Sequence, residues 1–178
     1  MGIYMMRHGK TEANEKKYYA TAEEPLLPVD GAIICTLQKQ VRELKVKAIV
    51  TSPFLRAKET ARLVNECGVV LKEEPLIREV SLGVLEGHTF CDAYGRYGDL
   101  LQPWIDDPYT YGPPGGESLT EAGRRARQFL RRVEDDTLYV SHDGFMRLVL
   151  AEQRGDLHAF FDYKLENFQI IALNLQKK

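Results

Sequence analysis

The stretch Gly2-Ile3-Tyr4-Met5-Met6-Arg7-His8-Gly9-Lys10-Thr11-Glu12-Ala13-Asn14 decides the fold. Gly2 to Met6 reads as a short, buried strand. It gives way abruptly to the polar run Arg7 to Asn14. In α/β proteins such a break marks a functional loop at the carboxyl end of a strand. The same signature recurs downstream. Ala48 to Val50 is a second short strand, ending at Thr51-Ser52-Pro53. Ser52 reads there as an N-cap, with Pro53 at the first position of a helix running to about Glu66. Thr137 to Val140 is another strand, followed at once by Ser141-His142-Asp143-Gly144.

Helical periods separate these strands. Ile34, Leu37, Val41 and Leu44 recur at helical spacing within Ile33 to Leu44. Ser118 to Val133 is a helix opened by a capping box, with Ser118 as N-cap and Glu121 three residues on. Phe145 to Arg154 is a helix stopped by Gly155. Val69 to Leu71 and Phe168 to Leu175 read as further strands, and Glu73 to Gly87 as an extended loop with short ordered pieces. The alternation predicts an α/β three-layer sandwich, a mostly parallel central sheet with helices on both faces. One domain is expected over residues 1–178, with a partly helical, lid-like excursion around residues 88–116, helical from Phe90 to Ile105. Its Tyr94, Tyr97, Trp104, Tyr109 and Tyr111 read either as aromatic walls over a small substrate or as packing onto the sheet.

Composition narrows the classes of partner. The chain has 178 residues, 44% hydrophobic and 28% charged, with a net charge of -2. No basic field argues for nucleic acid or an anionic membrane. Arg124, Arg125, Arg127, Arg131 and Arg132 cluster at helical spacing among acidic residues and read as a solvated helix face. Cys35, Cys67 and Cys91 are odd in number and widely spaced, so neither a disulfide framework nor a zinc site is expected, and a cytoplasmic setting is the simplest. No stretch is long and apolar enough for a membrane span, and Ile3 to Met6 is too short for a signal peptide.

Three polar clusters therefore fall at strand ends: Arg7-His8-Gly9, Ser52 to Arg56, and His142-Asp143-Gly144. Together they hold the parts of a phosphoryl-transfer site. His8 is the candidate nucleophile. Arg7 and Arg56 offer planar forks that match phosphate oxygens. His142 and the Asn14 amide can donate to the same oxygens. Glu79 is the candidate acid and base, provided its surroundings raise its pKa.

These segments resemble the histidine phosphatase superfamily, whose members include the cofactor-dependent phosphoglycerate mutases. Arg7-His8-Gly9-Lys10-Thr11-Glu12-Ala13-Asn14 is similar to its RHGxTxxN signature. Ser52 to Ala61 resembles SxxxRAxxTA, and Glu79 to Gly87 resembles ExxxGxxEG. Gly115-Gly116-Glu117-Ser118 resembles GGES, and Val140 to Gly144 resembles VSHGG. Asn167 sits where relatives often have an Asn before the last strand. Asp143 and Thr21 depart from the usual small residues.

The resemblance implies that His8 is phosphorylated, that Arg7, Arg56, His142 and Asn14 bind the phosphoryl group, and that Glu79 is the acid. It also implies a phosphate contact from the backbone N–H of Asp143. Neither metal nor cofactor is implied. The expected substrate is a small phosphorylated metabolite, with alpha-ribazole phosphate one candidate. The alternatives are a phosphoglycerate mutase-type phosphotransferase, a phosphatase of protein phosphohistidine, and a non-catalytic phospholigand-binding domain. Oligomeric state is not legible in the sequence. A mutase needs extra segments that shield the phosphohistidine from water, and the short span between Glu117 and His142 leaves no room for them.

Overall fold

The computed structural model describes residues 2–174. Its core is a five-stranded sheet in the order β3-β2-β4-β1-β5. The strands are β1 (Ile3–Arg7), β2 (Ala48–Thr51), β3 (Val70–Glu73), β4 (Thr137–Ser141) and β5 (Ile170–Ala172). β4 lies between β1 and β2 and runs parallel to both, β3 is parallel to β2, and β5 is antiparallel to β1. The helices are α1 (Glu12–Lys16), α2 (Gly31–Glu43), α3 (Leu55–Val64), α4 (Phe90–Tyr97), α5 (Gln102–Asp106), α6 (Leu119–Leu130) and α7 (Asp143–Arg154). The α/β sandwich expected from the alternation is what forms.

Side-chain alternation along the central strands builds two cores. Met5, Val50 and Tyr139 point to one face, where they meet Ala122, Ala126 and Phe129 of α6 and Phe145, Leu148 and Val149 of α7. Met6, Ile49, Leu138 and Val140 point to the other, against Leu37 and Val41 of α2 and Ala57, Ala61 and Val64 of α3. Central strands covered on both faces need apolar residues throughout, which is why β1 and β4 lack a polar stripe. A third, small cluster of Leu85, Ala93 and Leu101 anchors the excursion.

Local chemistry explains most boundaries. The Asp30 side chain accepts from the Ala32 N–H and opens α2. The predicted capping box of Ser118 and Glu121 opens α6. Gly155, at φ 74°, ends α7.

Three expectations are corrected. Ser52 is not an N-cap: α3 starts at Leu55, and the Ser52 hydroxyl turns to His142. β3 lies one to two residues later than expected, at Val70–Glu73, where every residue is exposed and apolar runs carry little signal. β5 spans Ile170–Ala172, so the expected strand was too long, and its far end at Leu175 lies outside the described residues. Among the described residues no helix is long and apolar enough to cross a membrane.

Candidate active site

Sheet register levels three strand ends. Arg7 pairs with Ser141, and Thr51 with Val140. The next residues, His8, Ser52 and His142, therefore leave the sheet side by side. The His8 N–H still bonds Ser141 O at 2.9 Å and the Ser52 N–H bonds Val140 O at 3.0 Å. This is the carboxyl edge at which open α/β sheets place their sites.

His8 is held in one tautomer. Its Nδ1 lies 2.6 Å from Gly9 O, and a carbonyl can only accept, so Nδ1 carries the hydrogen. The Nε2 lone pair is left outward, receiving Arg56 Nε–H at 3.3 Å. Burial, with the nearby charges of Arg56 and Arg7, pushes the His8 pKa well below the ordinary histidine value. His8 is a neutral imidazole with a directed lone pair. Its backbone is pinned from two sides: the Gly9 N–H donates to Thr60 Oγ1 at 2.9 Å, and Asn167 Nδ2 donates to His8 O at 3.0 Å.

His142 stands behind it, fully buried, its ring centroid 5.1 Å from that of His8. Burial and then Arg56 push its pKa far down, so it too is neutral. Its Nε2 is 2.8 Å from Ser52 Oγ. Ser52 Oγ also accepts the Phe54 N–H. His142 Nδ1 is buried without a partner, as is Arg7 Nε. Two buried nitrogens with unmet hydrogen bonds beside His8 are costly unless a ligand meets them.

Arg56 is 2% exposed and donates through Nη1 to Thr21 O at 2.6 Å. That bond uses a backbone oxygen, so Thr serves at position 21 without a glycine. Arg7 Nη1 donates to Leu165 O. Asn14 Oδ1 accepts from the Thr11 N–H at 3.1 Å and from Asn167 Nδ2 at 3.2 Å, which leaves its own amide hydrogens for the pocket it lines.

Glu79 reaches the site from the loop after β3. Its Oε1 accepts the Val80 and Phe145 N–H groups, each at 2.9 Å, and Oε2 accepts the Gly144 N–H at 3.2 Å. Burial raises its pKa, against the lowering effect of these amides and of Arg56. Oε1 is saturated by two donors, so Oε2 is the oxygen able to carry a proton.

One pocket brings together Arg7, His8, Asn14, Arg56 and Glu79, with Tyr18, Tyr19, Phe54, Val80, Leu82 and Glu86 among its other walls. His142 abuts it from behind and is not on its surface. Asp143 is not among the lining residues; its Oδ2 lies 3.5 Å from Arg147 Nη1. The aromatic walls are Tyr18, Tyr19 and Phe54. Of the five aromatics considered in the excursion none lines the pocket: Tyr97 and Trp104 pack on the Leu85 cluster and Tyr109 on the main core. Tyr18 and Tyr19 carried no sequence signal of their own, because they follow α1 without any periodicity.

The expected solvated arginine face needs a larger correction. Arg125 is 7% exposed. It forks onto both Glu117 oxygens at 3.1 and 2.7 Å and donates to the carbonyls of Leu76, Arg78 and Glu79. It ties the Glu79 loop to α6. Arg124, Arg127, Arg131 and Arg132 are exposed as expected. Among the described residues no group of three or more His, Cys, Asp or Glu side chains is placed to hold a metal ion.

The chain belongs to the histidine phosphatase superfamily (branch 1), whose profile matches residues 3–178. It is 26% identical over 181 residues to a protein of Hydrogenobacter thermophilus named "Putative phosphoserine phosphatase 2", covering 98% of this chain and 89% of that one. It is 25% identical over 183 residues to a Yersinia pestis protein named "Probable phosphoglycerate mutase GpmB", covering 98% and 85%. The alpha-ribazole phosphatase from Shigella flexneri superposes with a TM-score of 0.86 at 22% identity, over 99% of this chain and 92% of that one. The last likeness establishes the fold, and the family establishes a phosphatase or mutase class of enzyme.

Proposed function

We propose that this protein is a phosphomonoester hydrolase that works through a phosphohistidine at His8 and acts on a small phosphorylated metabolite. One observation carries the reading. A neutral, tautomer-locked His8 faces a pocket where Arg56, Asn14 and the partnerless Arg7 Nε converge, with the partnerless His142 Nδ1 directly behind. A phosphoryl group seated against His8 Nε2 gives Arg56, Asn14 and Arg7 an acceptor.

In this mechanism the entering phosphoryl group displaces Arg56 Nε from the His8 lone pair and takes over its hydrogen bonds. Nε2 forms a bond to phosphorus as the bond to the leaving oxygen breaks. Glu79 Oε2 gives its proton to that oxygen. Water then attacks the phosphohistidine, Glu79 takes a proton from it, and inorganic phosphate leaves.

Hydrolysis is favoured over the mutase reaction by the path of the chain. From Glu117 to His142 it is used up by α6, a turn and β4, all in the body of the fold. No segment there shields a phosphohistidine from water. A cytoplasmic setting accords with Cys35, Cys67 and Cys91, which are free and exposed. Alpha-ribazole phosphate is one candidate among the esters to screen.

The test is turnover of p-nitrophenyl phosphate with EDTA present, followed by acid-quench trapping of phosphoprotein. Release of nitrophenol and an acid-labile phosphate on the wild type, both missing in His8→Ala, is expected. Turnover that persists in His8→Ala would sink the covalent mechanism. Phosphate passed to a second hydroxyl rather than to water would favour the mutase.

A further inference from the structure

The two ends of the pocket differ in charge. Its cations are Arg7 and Arg56, and both sit at the His8 end. Arg56 donates to His8 Nε2 and Thr21 O, and Arg7 to Leu165 O, and in the proposed reaction both also serve the phosphoryl group. Phe54 packs against His142 and Arg56, and the remaining walls include Tyr18, Tyr19, Leu82 and the carboxylate side chain of Glu86. Glu86 Oε1 accepts the Leu82 N–H at 3.2 Å and the Ser81 hydroxyl at 3.3 Å, which closes the 81–86 turn. Its Oε2 has no hydrogen-bond partner among the described residues.

Arg56 is the pocket cation that feels the Glu86 charge, and in the proposed reaction it turns to the phosphoryl group. Tyr18 donates to Glu24 at 2.8 Å, which adds a second carboxylate near the rim. Two cations close in sequence to lining residues are paired: Lys10 with Glu15 at 2.8 Å, and Arg78 with Glu117 at 3.1 Å.

We infer that the pocket selects phosphate esters whose leaving group is uncharged or cationic, and that Glu86 is the residue that rejects a second anion. This rests on the hydrolase reading above. A carboxylate or second phosphate on the leaving group would lose water against tyrosine rings and face Glu86 while Arg7 and Arg56 are taken up by the phosphoryl group. A hydroxyl or an aromatic ring pays no such charge cost. An ammonium gains Glu86 Oε2 as an acceptor and the faces of Tyr18 and Tyr19.

The experiment compares kcat/KM for three two-carbon esters of similar size: 2-hydroxyethyl phosphate, O-phosphoethanolamine and phosphoglycolate. The wild type should disfavour phosphoglycolate. Glu86→Gln keeps an oxygen for the Leu82 N–H, and should raise the phosphoglycolate to hydroxyethyl phosphate ratio by about tenfold, the scale of a partly screened like-charge pair. The intrinsic reactivity of each ester cancels when that ratio is compared between enzymes. Leu82→Lys places a cation on the same wall by another route and should move the ratio the same way. Equal use of phosphoglycolate and hydroxyethyl phosphate by the wild type overturns the inference, as does a ratio unmoved in both variants. With p-nitrophenyl phosphate turned over in the same preparations, either failure belongs to this inference alone. Absence of turnover on p-nitrophenyl phosphate and on all three esters would remove the hydrolase reading, and this inference with it.

Discussion

Glu79 Oε1 accepts the N–H of Phe145 at 2.9 Å, so a residue from the loop after β3 caps the amino end of α7. The cap and the proposed acid are one carboxyl group. Amide donors favour its charged form while burial favours its neutral form, and burial wins. Glu79→Gln keeps one amide-accepting oxygen and removes the transferable proton. It is expected to slow alkyl esters by about 100-fold and nitrophenyl esters far less. The measurement is the dependence of kcat/KM on leaving-group pKa. Equal slowing across the series would argue that Glu79 only caps.

Gly144 makes that approach possible. A Cβ built there would stand 2.7 Å from Glu79 Oε1 and 3.3 Å from its Cδ. Gly144→Ala must push the carboxyl group off the helix end. The expected cost is about 1–3 kcal/mol in urea unfolding. The leaving-group dependence should steepen as it does for Glu79→Gln. A variant with unchanged stability and rates would show that the loop yields freely.

Arg125 holds the same loop from the other side, through three carbonyls and Glu117. Arg125→Met leaves a half-buried Glu117 carboxylate without its main partner and is expected to cost about 3 kcal/mol. Arg124→Met, on the exposed face of the same helix, should stay within about 0.5 kcal/mol. Comparable losses in the two would mean that Arg125 is not structural.

This contrast also shows where sequence reading stops. Strand ends carrying Arg7, His8 and His142 were legible because apolar runs break there into polar motifs. The layer order was legible because strands and helices alternate. Arg125 was not, because helical spacing gives a face and cannot say which arginine of five turns inward to meet a distant glutamate. Ser52 was misassigned for a related reason. Before proline it has the local pattern of a cap, and only the tertiary fold offers it His142. Tyr18, Tyr19 and Glu86 became pocket walls through loop packing, which leaves no period in the chain.

The two buried histidines make a pH prediction with a definite sign. Both have folded-state pKa values well below 6.5, so the folded protein binds fewer protons than the unfolded chain as pH drops past that value. Stability should be unaffected by them above about pH 6.5 and fall below it, by up to about 1.4 kcal/mol per pH unit for each histidine. Glu79 acts oppositely: its raised pKa makes the folded state hold a proton that the unfolded chain has released, so its contribution grows as pH falls toward its ordinary value of 4.5. Urea unfolding of the wild type, His8→Asn and His142→Asn across this range separates the terms, because the slope with pH is read and not the absolute stability. Each substitution should flatten the acid loss. The neutral His8 should also keep kcat/KM from falling until well below pH 6.5. A wild-type profile that already halves near 6.5, with no change of stability slope in either variant, would mean that the histidines titrate as if exposed to water.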